Sequence, residues 1–227
     1  MTRRIEKELN YFKYDGSPLK FRLGTLLVMI SCIMLLIIST FTELHFKHII
    51  IPFDIFSNWS TYFTDTGIYT EGFIKTVKYI PQIPVIFFIL ALLDRKFSMI
   101  TILCYITLGF LGYPIFALGG GWRYITQYGV GYILSYIPAL FFAGSILNRR
   151  YNFLTVLKAV FAGIIIINII GALVLLIIAC FKHENGFMIK NLLYSMSGFK
   201  FMYDLGFSIL AIYLGLIVKK LLWIIMS

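Results

Sequence analysis

The residues that invite chemistry here are polar side chains in costly places. Asp204 is the acid inside the last long apolar run, and Asn168 is the strong polar residue inside the run before it. Arg123 stands between Trp122 and Tyr124, directly after Gly119, Gly120 and Gly121. A carboxylate accepts hydrogen bonds, a guanidinium donates a planar fork of them, and an amide does both. Charges within apolar spans are expensive and therefore point to function by default. Each also has a plainer reading: Asp204 as an interfacial acid, Asn168 as a helix–helix hydrogen bond, Arg123 as an anchor to lipid headgroups. Tyr132 and Tyr136 are four residues apart, so on a helix they share one face and can wall a site. Gln82 lies between Pro81 and Pro84, where a broken helix would free backbone groups. The three glycines suit a tight turn or a close approach of backbone to something else, since each is unfavourable inside a helix by about 1 kcal/mol.

Covalent and metal chemistry find little support. Cys32, Cys104 and Cys180 all lie in apolar runs, and none has metal-ligand spacing. His45 and His48 are three apart, with no cysteine or paired acid beside them, so no metal site is expected. The chain has no phosphate-binding P-loop, and its glycines lack dinucleotide-binding spacing. No Ser-His-Asp grouping stands out.

The elements that must hold these residues are membrane spans. Of 227 residues, 60% are hydrophobic and 13% charged, and the mean hydropathy is +0.89. A soluble domain of this size carries more polar surface. The expectation is an all-α integral membrane protein. The net charge of +10 comes from basic connections rather than from a nucleic-acid reader, for no basic stretch carries such a motif. Apolar runs cover residues 23–41, 73–93, 97–111, 130–147, 154–180 and 201–218. The first is long enough to cross a hydrocarbon core of about 30 Å. These runs predict a bundle of six transmembrane helices, with a re-entrant or loop segment at 112–129 after the third. Arg3, Arg4, Lys7, Lys13, Lys20 and Arg22 precede the first run. Arg95 and Lys96, then Arg149, Arg150 and Lys158, and finally Lys219 and Lys220 fall on the same face under this count. By the positive-inside rule that face is the cytoplasm, with both termini on it, in a multi-pass protein of the cell membrane. Residues 1–22 form a cytoplasmic N-terminal segment, and residues 23–227 form the transmembrane binding domain. The outer segment 42–72 holds Trp59, Tyr62 and Tyr69, which suit a lid or the lipid interface.

The central block resembles the BioY family, the biotin-binding S components of energy-coupling-factor transporters. "YIPQIPVIFFILALLDRKFSMITILCYITLGFLGYPIFALGGG", from Tyr79 to Gly121, resembles the family's proline-opened helix, its short cytoplasmic turn, and a helix ending in G-x-x-G-x-P-x-F before glycines. "GVGYILSYIPALFFAG", Gly129 to Gly144, resembles its G-G-Y-L-x-G-F-x-x-A-x-x-x-G. "NIIGALVLL" from Asn168 and "GFKFMYDLGFSIL" from Gly198 resemble its last two helices. The sequence departs from the family where Tyr128 and Gly129 replace P-T. It departs again where the P-G-D opening of the last helix keeps only its acid, Asp204, and Phe207 stands in for a lysine.

The resemblance implies an S-component fold that captures biotin from outside and performs no covalent chemistry. It implies a T subunit and ATPase subunits as partners, with the lipid bilayer, and no nucleic acid or cofactor. Read for such a ligand, the residues themselves suggest Asp204 as acceptor for the ureido N–H groups, Asn168, Arg123 and Gln82 as polar partners, and Trp122, Tyr132 and Tyr136 as walls. Gly119, Gly120 and Gly121 would form the mouth. Two other readings stay open: an S component for another vitamin, and a membrane enzyme using His45, His48, Asp54 and Asp65 in the outer segment.

Overall fold

A computed structural model describes residues 23–49, 63–64, 67–68, 74–147, 151–198 and 200–226. The N-terminal segment 1–22, Asp54, Trp59, Tyr62, Asp65, Tyr69, Arg149 and Arg150 lie outside the described residues. The chain is mostly helical. Helix α1 spans Leu23–Phe41, α2 Gln82–Phe110, α3 Val130–Leu134, α4 Tyr136–Leu147, α5 Phe153–Phe181, α6 Gly186–Ser197 and α7 Lys200–Met226. Four stretches among the described residues are long and apolar enough to cross a membrane: Leu23–Phe41, Val130–Leu147, Phe153–Phe181 and Gly186–Leu222.

The all-helical expectation misses two antiparallel ribbons. Strand β1 (Leu44–Ile49) pairs with β4 (Ile74–Tyr79), from Leu44 opposite Tyr79 to Ile49 opposite Ile74. The shorter β2 (Phe63–Thr64) and β3 (Gly67–Ile68) pair with each other. Where an apolar run is expected to open a span, residues 74–79 therefore form a strand. "IKTVKY" mixes β-branched residues with lysines and fits a pleated strand better than a lipid-facing helix. Pro81 then ends the strand, and the helix begins at Gln82. Pro84 in the first turn costs nothing there, because its missing N–H would have no intrahelical acceptor.

Helix α2 is interrupted once. Asp94, with φ 61° and ψ 173°, breaks the helical path between two arms. The first arm buries Ile86, Phe87, Ile89 and Leu90, and the second buries Ile102 and Tyr105. Helix α2 packs mainly on α7, and also on α1 and α4, while α5 packs on α3, α4 and α7. Gly215 lets α7 approach closely: a Cβ there would stand 2.8 Å from Ala91 Cβ and 2.9 Å from the Phe88 carbonyl. Small residues at such crossings are how helices pack where no hydrophobic effect separates helix from lipid. The outward faces are apolar too. Leu27, Ile30, Met34 and Ile38 of α1, and Ile169, Leu173 and Ile177 of α5, are exposed. Lipid is the solvent that suits such faces.

At one end of the bundle, Lys219 Nζ lies 2.7 Å from Asp94 Oδ1. Arg95 Nη1 donates to Ser145 Oγ at 2.7 Å, and its guanidinium carbon sits 5.3 Å from the Phe141 ring centre. These contacts tie the break in α2 to the far parts of α4 and α7. The candidate ligand residues gather at the other end.

Candidate ligand-binding site

Asp204 belongs to the second turn of α7 and is 5% exposed. A carboxylate so placed costs several kcal/mol unless hydrogen bonds replace its water. Tyr79, the last residue of β4, supplies one: its hydroxyl donates to Asp204 Oδ1 at 2.9 Å. Lys200, one turn back on α7, sets its positive charge near the same carboxylate. One turn further along α7, the buried hydroxyl of Ser208 has no partner among the described residues. Buried polar groups are normally satisfied, so an unfilled one beside a buried acid leaves room for a ligand's polar group.

Aromatic rings close around the acid. The Tyr79 ring, 1% exposed, lies 5.5 Å from Tyr203 and 5.7 Å from Phe207. Phe46 reaches over from β1 and stacks on Tyr203 at 4.8 Å. The ribbon thus sets one ring from each strand against the face of α7 that carries Asp204.

A second set of polar groups joins four elements. Gln82, the first residue of α2, donates from Nε2 to Thr40 Oγ1 at 2.8 Å and accepts at Oε1 from the Tyr136 hydroxyl at 2.8 Å. Thr40, near the end of α1, donates to the Leu36 carbonyl at 2.9 Å and lies 3.3 Å from the Tyr105 hydroxyl. Tyr105 in turn reaches the Ile115 carbonyl at 3.3 Å. Tyr136 lies within the electrostatic reach of Tyr105, Tyr124 and Asp204. The amide of Gln82 is thereby fixed between α1 and α4.

The glycine stretch is a built loop. Gly119 and Gly121 have positive φ, 104° and 85°, which other residues adopt only with strain. Gly121 N–H donates to the Gly109 carbonyl at 2.7 Å. A Cβ on Gly120 would strike the Tyr113 carbonyl. Close backbone approach explains the glycines, and what they approach is the end of α2. A 3₁₀ turn, Trp122–Thr126, follows and buries Tyr124 against Phe116, with ring centres 4.5 Å apart. Burial pushes the Tyr124 phenol up to about 12.

The structure divides the residues singled out from sequence. It brings Asp204, Gln82 and Tyr136 to one end of the bundle, buried or half-buried. Tyr132 is half-buried, its hydroxyl 2.7 Å from Ser197 Oγ on α6. Asn168 donates from Nδ2 to the Ile164 carbonyl of its own helix at 2.9 Å, which leaves its amide oxygen for other partners. Trp122 is 77% exposed and stacks on Phe110 at 6.3 Å. Arg123 is exposed and does not pair with Asp204, whose bonded partner is Tyr79. No cluster of three metal-ligating side chains forms among the described residues. Sequence reasoning overlooked Tyr79, Thr40 and Tyr105. Their signal was position: Tyr79 immediately precedes "IPQIP", and Ser39 and Thr40 end an otherwise apolar run.

At Tyr128 the connections at this end of α3 and α5 are braced as well. The Tyr128 hydroxyl donates to Glu184 Oε1 at 2.6 Å, and Lys182 Nζ lies 4.3 Å from the Tyr128 ring centre. The bond to Glu184 raises the Tyr128 phenol above its ordinary range.

A bundle of apolar helices with a buried carboxylate at one end suits a ligand-binding protein of the membrane. The comparisons specify its kind. The fold matches a crystal structure at 2.1 Å of the S-component for biotin from an ECF-type ABC transporter. The TM-score is 0.60 at 19% sequence identity, over 87% of this chain and 92% of that one. Residues 68–222 match the BioY family, and the chain belongs to it. No curated protein matches the sequence.

Proposed function

We propose that this chain is the membrane subunit that captures biotin from outside the cell and, with a T subunit and ATPase subunits, delivers it to the cytoplasm. Membership of the BioY family supplies the substrate class. The observation that carries the site is Asp204: a buried carboxylate held at Oδ1 by Tyr79, one turn from the hydroxyl of Ser208, which has no partner among the described residues. Biotin's ureido ring presents N–H donors that such a carboxylate accepts. Gln82 and Tyr136 supply polar groups nearby, Ser208 offers a hydroxyl, and Tyr132 with the rings around Tyr79 supplies apolar walls. Asn168 has its amide oxygen to offer. The Gly119, Gly120 and Gly121 loop, with Trp122 and Arg123 outside it, forms the rim and meets the carboxylate tail as it enters.

The proposed topology has six spans: α1, the two arms of α2 on either side of Asp94, α3 with α4, α5, and α7. The Asp94–Lys219 pair supports it, since it joins the break in α2 to the basic end of α7. Arg95, Lys96, Lys219 and Lys220 then share one side, the cytoplasmic side by the positive-inside rule. The termini lie on that side, and Tyr79 and Asp204 face outward.

Two measurements test this reading. The small molecule retained by the purified chain, identified by mass spectrometry, should be biotin, and another vitamin in its place would transfer the assignment to an S component of different specificity. Vesicles holding the chain alone should bind biotin without accumulating it. Accumulation against a gradient without ATPase subunits would defeat the transporter-subunit reading.

A further inference from the structure

We propose that Tyr79 is a positioning residue for ligand capture: it fixes the carboxylate of Asp204 and ties it to the outer ribbon. The inference deepens the proposed function and rests on it for the identity of the ligand. Three observations carry it. Tyr79 is the end of β4, and it is fully buried although the strand lies outside the bundle. Its hydroxyl makes the hydrogen bond that Asp204 has, at 2.9 Å. Its ring and that of Phe46 pack against Tyr203 and Phe207, the residues flanking Asp204 on α7.

A free carboxylate can rotate and can turn either oxygen to a ligand. Tyr79 removes that freedom by occupying Oδ1, so Oδ2 is presented in a single orientation and the ordering is done before the ligand arrives. Preorganisation of this kind raises affinity by reducing what must be ordered on binding. The same residue connects the acid to the ribbon, because the β1–β4 ladder places Leu44 opposite Tyr79 and Phe46 two residues on. Loss of the Tyr79–Asp204 bond therefore loosens the ribbon as well as the acid.

The test is a double-mutant cycle, which isolates a pairwise term. Tyr79→Phe keeps the ring and its packing and deletes only the donor. It should weaken biotin binding by about tenfold, the usual scale for a hydrogen bond to a charged group. On an Asp204→Ala background, the same change should alter affinity by less than about twofold, because the group it positions is gone. A merely structural tyrosine would cost as much with Asp204 as without it, and that result overturns the proposal. Unchanged affinity in Tyr79→Phe overturns it too. Hydrogen exchange of the unliganded proteins keeps the two readings separate. Amides of residues 44–49 and 74–79 should exchange faster in Tyr79→Phe and in Asp204→Ala, each by a similar factor. Wild-type protein that ignores biotin while both variants show this faster exchange would sink the biotin reading and leave the positioning role standing. No change in exchange would sink the positioning role.

Discussion

Asp204 and Arg123 are both charged residues beside aromatic rings, and they end up in opposite surroundings. Asp204 is nearly sealed, held by Tyr79 and covered by rings from two strands. Arg123 sits in a short 3₁₀ turn, exposed, next to a Trp122 that is 77% exposed. The difference comes from what packs over each. The β1–β4 ribbon crosses the start of α7 and removes water from Asp204, whereas the glycine loop folds back on α2 and turns its polar end outward. A buried carboxylate can contribute strongly to affinity, because a hydrogen bond gains strength where water is excluded. An exposed guanidinium is hydrated and screened, and contributes mainly to attraction at a distance.

Substitutions can sharpen or break that contrast. The largest effect should come from Asp204→Ala, which removes the acceptor and leaves ligand donors buried without partners. A loss of about 2–3 kcal/mol corresponds to roughly a hundredfold weaker biotin binding by calorimetry. Next comes Gln82→Leu, which leaves Thr40 and the Tyr136 hydroxyl without their amide. Affinity should fall by about tenfold, and the thermal midpoint should fall with it, since buried hydroxyls lose their partner. Gly120→Ala should follow, with a lower thermal midpoint and a loss of binding of about threefold, as its methyl group would collide with the Tyr113 carbonyl. Arg123→Ala should have the smallest effect on equilibrium affinity, below about threefold, and should slow association more at low salt than at high salt. If stopped-flow and calorimetry instead give Arg123→Ala the largest loss, the contrast between the two regions is wrong and the loop is the centre of the site.

How much of this was legible in the sequence follows from the range of each interaction. The apolar runs over α1, α5 and α7 are readable because lipid demands a local property, about twenty apolar residues in a row. Asp204 was readable for the same reason, as an acid within such a run. The ribbon was not. "LHFKHI" and "IKTVKY" are separated by a long intervening segment, and their pairing is set by register rather than by either stretch alone. Residues 74–79 look like the start of a span by composition and form a strand instead, with the helix starting only after Pro81. Tyr79 therefore stayed hidden: its role depends on a strand that brings it to a helix 125 residues away along the chain. The glycines showed that backbone comes close to something, but the sequence could not name the end of α2 as that neighbour. Arg123 was readable as a charge and not as an exposed one, since exposure depends on which way the loop folds.

The most direct measurement of the central claim compares biotin with an analogue methylated on a ureido nitrogen, titrated into the wild-type chain and into Asp204→Ala. If Asp204 accepts the ureido N–H, the wild-type protein should prefer biotin by more than about tenfold, and the variant should bind both weakly with little preference. An equal preference in both proteins, or a wild-type chain indifferent to the methyl group, would contradict the assignment of Asp204 as the ureido acceptor.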